Sequence, residues 1–116
     1  MMKRVILIDP YTRTVTKVEA EDGVAEWKKL LQCEEIEALS FPYFATMLLV
    51  DENAKLTRPK ETPKFLIRLR FNDRYGTEII GKAIVVSHTL RGKTAHVKPD
   101  VKEVSERVTW ITTAQN

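Results

Sequence analysis

Two histidines, one cysteine and a few neighbouring carboxylates are the residues from which this chain would have to build a catalytic or metal site. His88 and His96 are flanked by Thr, Leu, Val and basic residues, and a cation held there would be repelled by Arg91, Lys93 and Lys98. A zinc site wants several His, Cys, Asp or Glu at close spacing, so both read as loop or strand histidines and no metal is expected. Cys33 could act as a nucleophile only with a base to lower its pKa. It stands among Glu34, Glu35 and Glu37, whose charge raises a thiol pKa, so it reads as a small buried hydrophobe. Glu34-Glu35 and Asp51-Glu52 are adjacent acids, whereas glycoside chemistry needs two carboxyls facing each other across a cleft. They read as solvated surface. Gly76-Thr77-Glu78-Ile79-Ile80-Gly81-Lys82 looks superficially like a phosphate loop. Ala83 follows its lysine, however, and a β-rich run follows in place of a helix, so no helix N-terminus meets a phosphate. Neither an enzyme nor a cofactor site is expected.

The basic residues carry a stronger signal. Residues 1–52 hold six Lys/Arg against ten Asp/Glu, 53–99 hold eleven against three, and 100–116 hold two against three. Such segregation predicts a basic and an acidic face. Arg68 and Arg70 alternate with Leu69 and would project from one face of a strand, with Arg74 in the next turn. Arg91, Lys93 and Lys98 form a second cluster, and Tyr75 is a candidate stacking group. Cations of this kind hold phosphates with steep salt dependence. The same charges also dock an acidic protein patch. The segment lacks the strand-borne aromatics of a base-stacking sheet.

These residues need elements to position them. Lys3 to Asp9 is a β-rich run closed by Asp-Pro, and Thr14 to Glu19 alternates as a half-exposed strand; the four residues between suit a hairpin. Val24, Trp27, Leu30 and Leu31 mark one face of a helix over 23–33, with Asp22 as N-cap. Glu35 to Phe41 returns to alternation, and Ala45 to Asp51 is apolar enough for a central strand covered on both faces. The polar, proline-containing stretch up to Pro63 reads as a surface loop with room for one helical turn. Phe65, Ile67, Leu69 and Phe71 keep period two, which predicts a strand with a basic outer face. Thr77 to Ser87 is a further β-rich run in which Gly81 marks a bulge or close approach. Asp100 can cap a last segment whose Val101, Val104, Val108 and Ile111 suit a helix. Its β-branched second half suits a strand at 107–112 equally. The fold expected is α+β: a mostly antiparallel sheet of about five or six strands with one or two helices packed on one face.

At 116 residues and 43% hydrophobic content the chain is read as a single domain, 1–116, with one core. Its longest apolar runs, such as Met47 to Val50 and Ala83 to Val86, fall far short of the roughly 20 residues a bilayer requires. The N-terminal run is cut by Asp9-Pro10, unlike a signal peptide. With a lone cysteine and no export signal, the cytoplasm is the expected compartment.

The order of elements resembles a family of small phage and mobile-element domains of unknown function. The carriers are Val5-Ile6-Leu7-Ile8-Asp9-Pro10, the helix around Trp27 to Leu31, and Ile36-Glu37-Ala38-Leu39. Leu49-Val50-Asp51-Glu52-Asn53-Ala54-Lys55-Leu56 and Ile79-Ile80-Gly81-Lys82-Ala83-Ile84-Val85-Val86 complete the set, with an amphipathic segment at the C-terminus. Lys64 to Arg70 is longer and more strand-like than the family pattern. The resemblance implies an accessory protein that binds and modulates a host protein, a defence or gene-expression component, in the host cytoplasm. The interface expected is Arg68, Arg70, Arg74, Arg91 and Lys93. Direct nucleic-acid binding by the same surface is the alternative. No membrane partner is expected, and the exposed edge strand 14–19 could pair with a second copy to make a homodimer.

Overall fold

The computed structural model describes residues 2–70 and 72–112. In chain order they form β1 (Met2–Asp9), β2 (Thr14–Glu21), α1 (Val24–Leu31), β3 (Ile36–Ser40), β4 (Thr46–Asp51) and α2 (Ala54–Thr57). Then follow β5 (Lys64–Ile67), β6 (Thr77–Ile80), β7 (Ala83–His88), β8 (Thr94–Ala95), α3 (Val101–Ser105) and β9 (Val108–Trp110). Sheet A runs in the order β2-β1-β7-β4-β3, with β8 paired to the end of β7; sheet B runs β6-β5-β9. Every pairing is antiparallel. The mixed, mostly antiparallel α+β class is as the sequence predicts. Among the described residues no helix is long and apolar enough to cross a membrane.

The central strands explain the layering. Val5 to Ile8, Met47 to Val50 and Ala83 to Val86 are apolar at successive positions, so alternate side chains enter opposite faces and both faces need cover. Ile6, Ile8, Leu48, Val50, Ala83 and Val85 pack with Phe65, Ile67 and Ile79 of sheet B and Val104 of α3. Val5, Leu49, Ile84 and Val86 pack with Trp27 and Leu31 of α1 on the other side. The two helices therefore contribute to different cores on opposite faces of sheet A, where the sequence pattern suggested one face. A second sheet, not a second helix, is the main cover of the Ile6 face. Each fully buried Ile, Leu or Phe in these layers contributes about 1.5–3 kcal/mol.

Local chemistry sets most boundaries. Gly23, with φ +132°, stands at the N-cap of α1 without a side-chain cap bond, so Asp22 does not cap this helix as its spacing suggests. Gln32 closes the helix in the left-handed conformation. Asp100 does cap α3: its Oδ1 accepts from the Glu103 N–H at 2.8 Å, and Glu103 Oε1 accepts from the Asp100 N–H at 3.2 Å. The segment 101–111 resolves into a helix followed by a strand, so both readings of it hold in succession.

Two strand expectations are corrected. The run Thr77 to Ser87 is two strands in two different sheets, because Gly81 (φ +82°) turns the chain and donates its N–H to Pro63 O at 2.9 Å. The strand beginning at Lys64 ends at Ile67, not at Phe71, which lies outside the described residues. Beyond Ile67, Arg68 N–H bonds Arg107 O at 3.0 Å while β6 begins only at Thr77. The chain leaves the sheet there, so Arg68 and Arg70 do not project from a strand.

Candidate interaction surface at the basic end

Antiparallel register brings several segments to one end of sheet A. Thr46 lies opposite Ser87 and Ile6 opposite Val85, so the start of β4, the end of β7 and the start of β1 coincide there. A buried hydroxyl pair fixes this end. Thr46 Oγ1 and Ser87 Oγ are 2.8 Å apart, Thr46 Oγ1 donates to Phe44 O at 2.9 Å, and Ser87 Oγ accepts the Lys98 N–H at 3.0 Å. The 41–45 turn is thereby held against the chain after β8. Lys98 Nζ lies 4.8 Å from the centre of the Phe44 ring and donates to His88 O at 3.4 Å.

Arg68 and Arg70 line a groove of about 330 Å³ with Phe41, Pro42, Tyr43, Glu103, Glu106 and Arg107. Arg68 is committed within it: its Nη2 donates to Glu106 O at 2.6 Å, while Arg107 Nη1 donates to Arg68 O at 3.0 Å. Arg107 also lies over the Phe41 ring at 5.9 Å. Arg91 and Lys93 stand on the hairpin joining β7 to β8, closed by Thr89 N–H to Lys93 O at 2.7 Å and Gly92 N–H to Thr89 O at 2.9 Å. Arg74 sits in the loop between β5 and β6, which Gly76 holds against the Ile67 backbone. Among the described residues, Arg70, Arg74, Arg91 and Lys93 make no side-chain hydrogen bond or ion pair. The five predicted residues thus belong to three segments: Arg68 and Arg70 share a groove, the hairpin pair meets the same end through His88, Lys98 and Phe44, and Arg74 is on a loop.

The apolar neighbours of these cations escape sequence reasoning. Tyr43, Phe44 and Leu90 are 42%, 67% and 90% exposed. The signal was there in Phe41-Pro42-Tyr43-Phe44, an aromatic run in a hairpin turn where the strand pattern stops. A larger apolar groove of about 590 Å³ opens on the other face of sheet A, where the eight-residue α1 is too short to cover the sheet. Trp27, Ile36, Met47, Leu49 and Val86 line it, and His88, Gly92 and Thr94 connect it to the cationic hairpin. Val24, expected in the core, lies on this groove and is 59% exposed.

The residues weighed for chemistry have other uses. His96 Nδ1 accepts the Arg4 N–H at 3.1 Å and so completes the edge of β1. Among the described residues no group of three or more His, Cys, Asp or Glu gathers as a metal site. Burial pushes the Cys33 thiol up from its ordinary pKa, the Asp51 carboxylate pushes it further, and Arg58 and Lys28 oppose this. Asp51 itself is not solvated surface: its side chain is 6% exposed. Its Oδ2 accepts from Arg58 Nε at 3.0 Å, and its Oδ1 from the Asn53 N–H at 3.0 Å. Arg58 Nη2 donates to Leu31 O and Gln32 O, each at 2.8 Å, closing the end of α1. That ion pair is a clasp within the fold. Comparison with protein families, curated proteins and solved structures gives no match to this chain.

Proposed function

We propose that this protein is a non-catalytic accessory protein that binds a partner protein and modulates it through the basic end. The partner presents an acidic segment interleaved with apolar side chains. The observation that carries this reading is the apolar groove beside α1 opening onto the hairpin of Arg91 and Lys93. Unpaired cations supply steering and register, and an adjoining apolar trough supplies the desolvated contact area that gives lasting affinity. The phage-domain resemblance makes a host protein the partner class to try first.

Direct nucleic-acid binding is the second reading, favoured by the exposed rings of Tyr43 and Phe44 beside Lys98 and Arg70. Base–aromatic stacking of that kind contributes about 1–3 kcal/mol per base. Glu103 and Glu106 in the same groove oppose a polyanion.

One experiment separates the two. Tagged protein is used to capture partners from a host lysate with and without nuclease, alongside a variant with Arg70, Arg74, Arg91 and Lys93 all changed to alanine. Arg68 is left intact because its guanidinium holds the turn after α3. A stoichiometric protein that survives nuclease and is lost with the variant supports the proposal. Recovery of nucleic acid alone transfers the surface to the second reading, and equal capture by the variant refutes the assignment of the interface.

A further inference from the structure

β3 is a terminal strand of sheet A, with β4 on its inner side. Two bonds to the β4 side fix which of its backbone groups point where. The Glu52 N–H donates to Glu35 O at 3.0 Å, and the Phe41 N–H donates to Thr46 O at 3.2 Å. Both pairs continue the register that sets Ala38 opposite Leu49, so Glu35, Glu37, Leu39 and Phe41 bond inward. By alternation Ile36, Ala38 and Ser40 turn their N–H and C=O outward, and among the described residues nothing bonds those outward groups. Of the strands and helices, only β4 packs extensively against β3. The edge also lies between two hollows. Ile36 and Ala38 line the apolar trough of about 590 Å³ on the α1 face, with Trp27, Met47 and Leu49. Glu37 and Leu39 line a groove of about 300 Å³ on the opposite face, with Glu52, Lys55 and Glu78.

Resting on the partner-binding reading above, we infer that an extended segment of the partner protein adds to sheet A along β3 as an antiparallel strand. An open edge is a template for such pairing. The pleat sets the chemistry of the segment. Residues opposite Ile36, Ala38 and Ser40 exchange ladder bonds with them and place their side chains on the α1 face, where branched apolar groups fill the trough. Residues opposite Glu37 and Leu39 face the groove of Glu37, Glu52 and Glu78, with Lys55 the one lysine or arginine lining it, so lysine or arginine suits them. The part of the segment before these residues passes Phe41 and Pro42, which line the groove of Arg70 and Arg107, and there it is acidic. A second copy is a poor occupant. β3 paired with itself about Ala38 puts alanine where the trough needs bulk, and sets the two Glu37 side chains diagonally across one groove.

The probe is the acetylated, amidated peptide Glu-Glu-Val-Lys-Val-Lys-Val, whose valines match Ser40, Ala38 and Ile36. Titrated to millimolar into the isotope-labelled full chain, it should shift the amide signals of Ile36, Ala38 and Ser40. N-methylation of the middle valine, whose N–H meets Ala38, leaves a ladder group unsatisfied and should weaken binding roughly tenfold or more. N-methylation of the lysine opposite Glu37, whose N–H points to solvent, should leave binding unchanged. Ala38→Pro removes an outward donor without touching the β4 ladder, a position where edge strands tolerate proline, and should abolish binding. The methylated peptides use the wild-type chain and do not depend on that variant folding. No binding at millimolar peptide, or methylated peptides that bind alike, overturns the strand addition. So does a free chain that sediments as a dimer while Ala38→Pro sediments as a monomer, which gives the edge to a second copy. Each of these leaves the capture experiment above to decide the basic end by itself. Peptide binding in this register, with equal capture by the quadruple alanine variant, removes the basic end and keeps the edge.

Discussion

Replacing Arg58 with methionine should unfold the protein far more readily than a change at a residue from a polar loop would suggest. The side chain is 17% exposed and its partner Asp51 6%. The substitution removes one ion pair and two bonds to the carbonyls that end α1, while the methionine retains the stem's packing. Removing one partner of a buried pair costs about 3–5 kcal/mol, because the remaining charge stays buried without compensation. Two features reduce this. Gln32 O is at the surface and regains water, and Asp51 keeps its bond from Asn53 N–H. The expected loss is therefore about 3 kcal/mol, a substantial fraction of the roughly 5–15 kcal/mol that holds a domain of this kind. Urea unfolding followed by fluorescence of the buried Trp27 measures it. Adding Asp51→Asn to Arg58→Met removes the orphaned charge yet keeps an oxygen for Asn53, so the double variant should be the more stable by about 1–2 kcal/mol. A loss below about 0.5 kcal/mol for Arg58→Met, the range of ordinary surface changes, would refute the clasp. Strict additivity in the double variant would do the same.

Three further outcomes follow from local geometry. The Cys33 thiol titrates above its ordinary value, so the folded state keeps its proton after the unfolded chain has lost it. Its stabilising contribution is complete below the unfolded thiol's pKa and declines as pH rises through the folded one. Cys33→Ser should flatten the alkaline limb of stability, and alkylation of native Cys33 at mildly alkaline pH should be slower than after denaturation. Gly76→Ala would put a Cβ 3.0 Å from Ile67 O at φ +88°, whereas Gly92→Ala at φ +83° meets open space. Both pay about 1 kcal/mol or more for the left-handed backbone, but only the first should add a steric loss and release the Arg74 loop, which thermal melts and limited proteolysis would detect. Asp100→Ala removes the capping box of α3 and should cost about 1 kcal/mol in denaturant unfolding, with Asp100→Asn recovering most of it.

Elements whose determinants lie within a few residues were legible in the sequence. The β1–β2 hairpin, the helix at Trp27 to Leu31, the strands 36–40 and 46–51 and the Asp100 cap all follow from alternation, helical spacing or capping chemistry. The upward direction of the Cys33 pKa was legible too, but partial burial of the thiol and Asp51 raise it, not the neighbouring glutamates from which the sequence argued it. What pattern could not supply is which strand meets which. Period two runs unbroken through Leu69, yet β5 ends at Ile67 because its antiparallel neighbours β6 and β9, both later in the chain, begin only opposite it. The run from Thr77 to Ser87 is uniformly β-forming, and only the turn at Gly81 assigns its halves to different sheets. Asp51 looks solvated beside Glu52 until a guanidinium seven positions on folds back over it. The basic end shares this origin, with its residues on the 41–45 turn, the loop after β5, the β7–β8 hairpin and the chain around α3. Composition and spacing decide what each segment can be, since those energies are local. Non-local antiparallel pairing decides what the segments surround, because a strand's partners set where it ends and which of its side chains water still reaches.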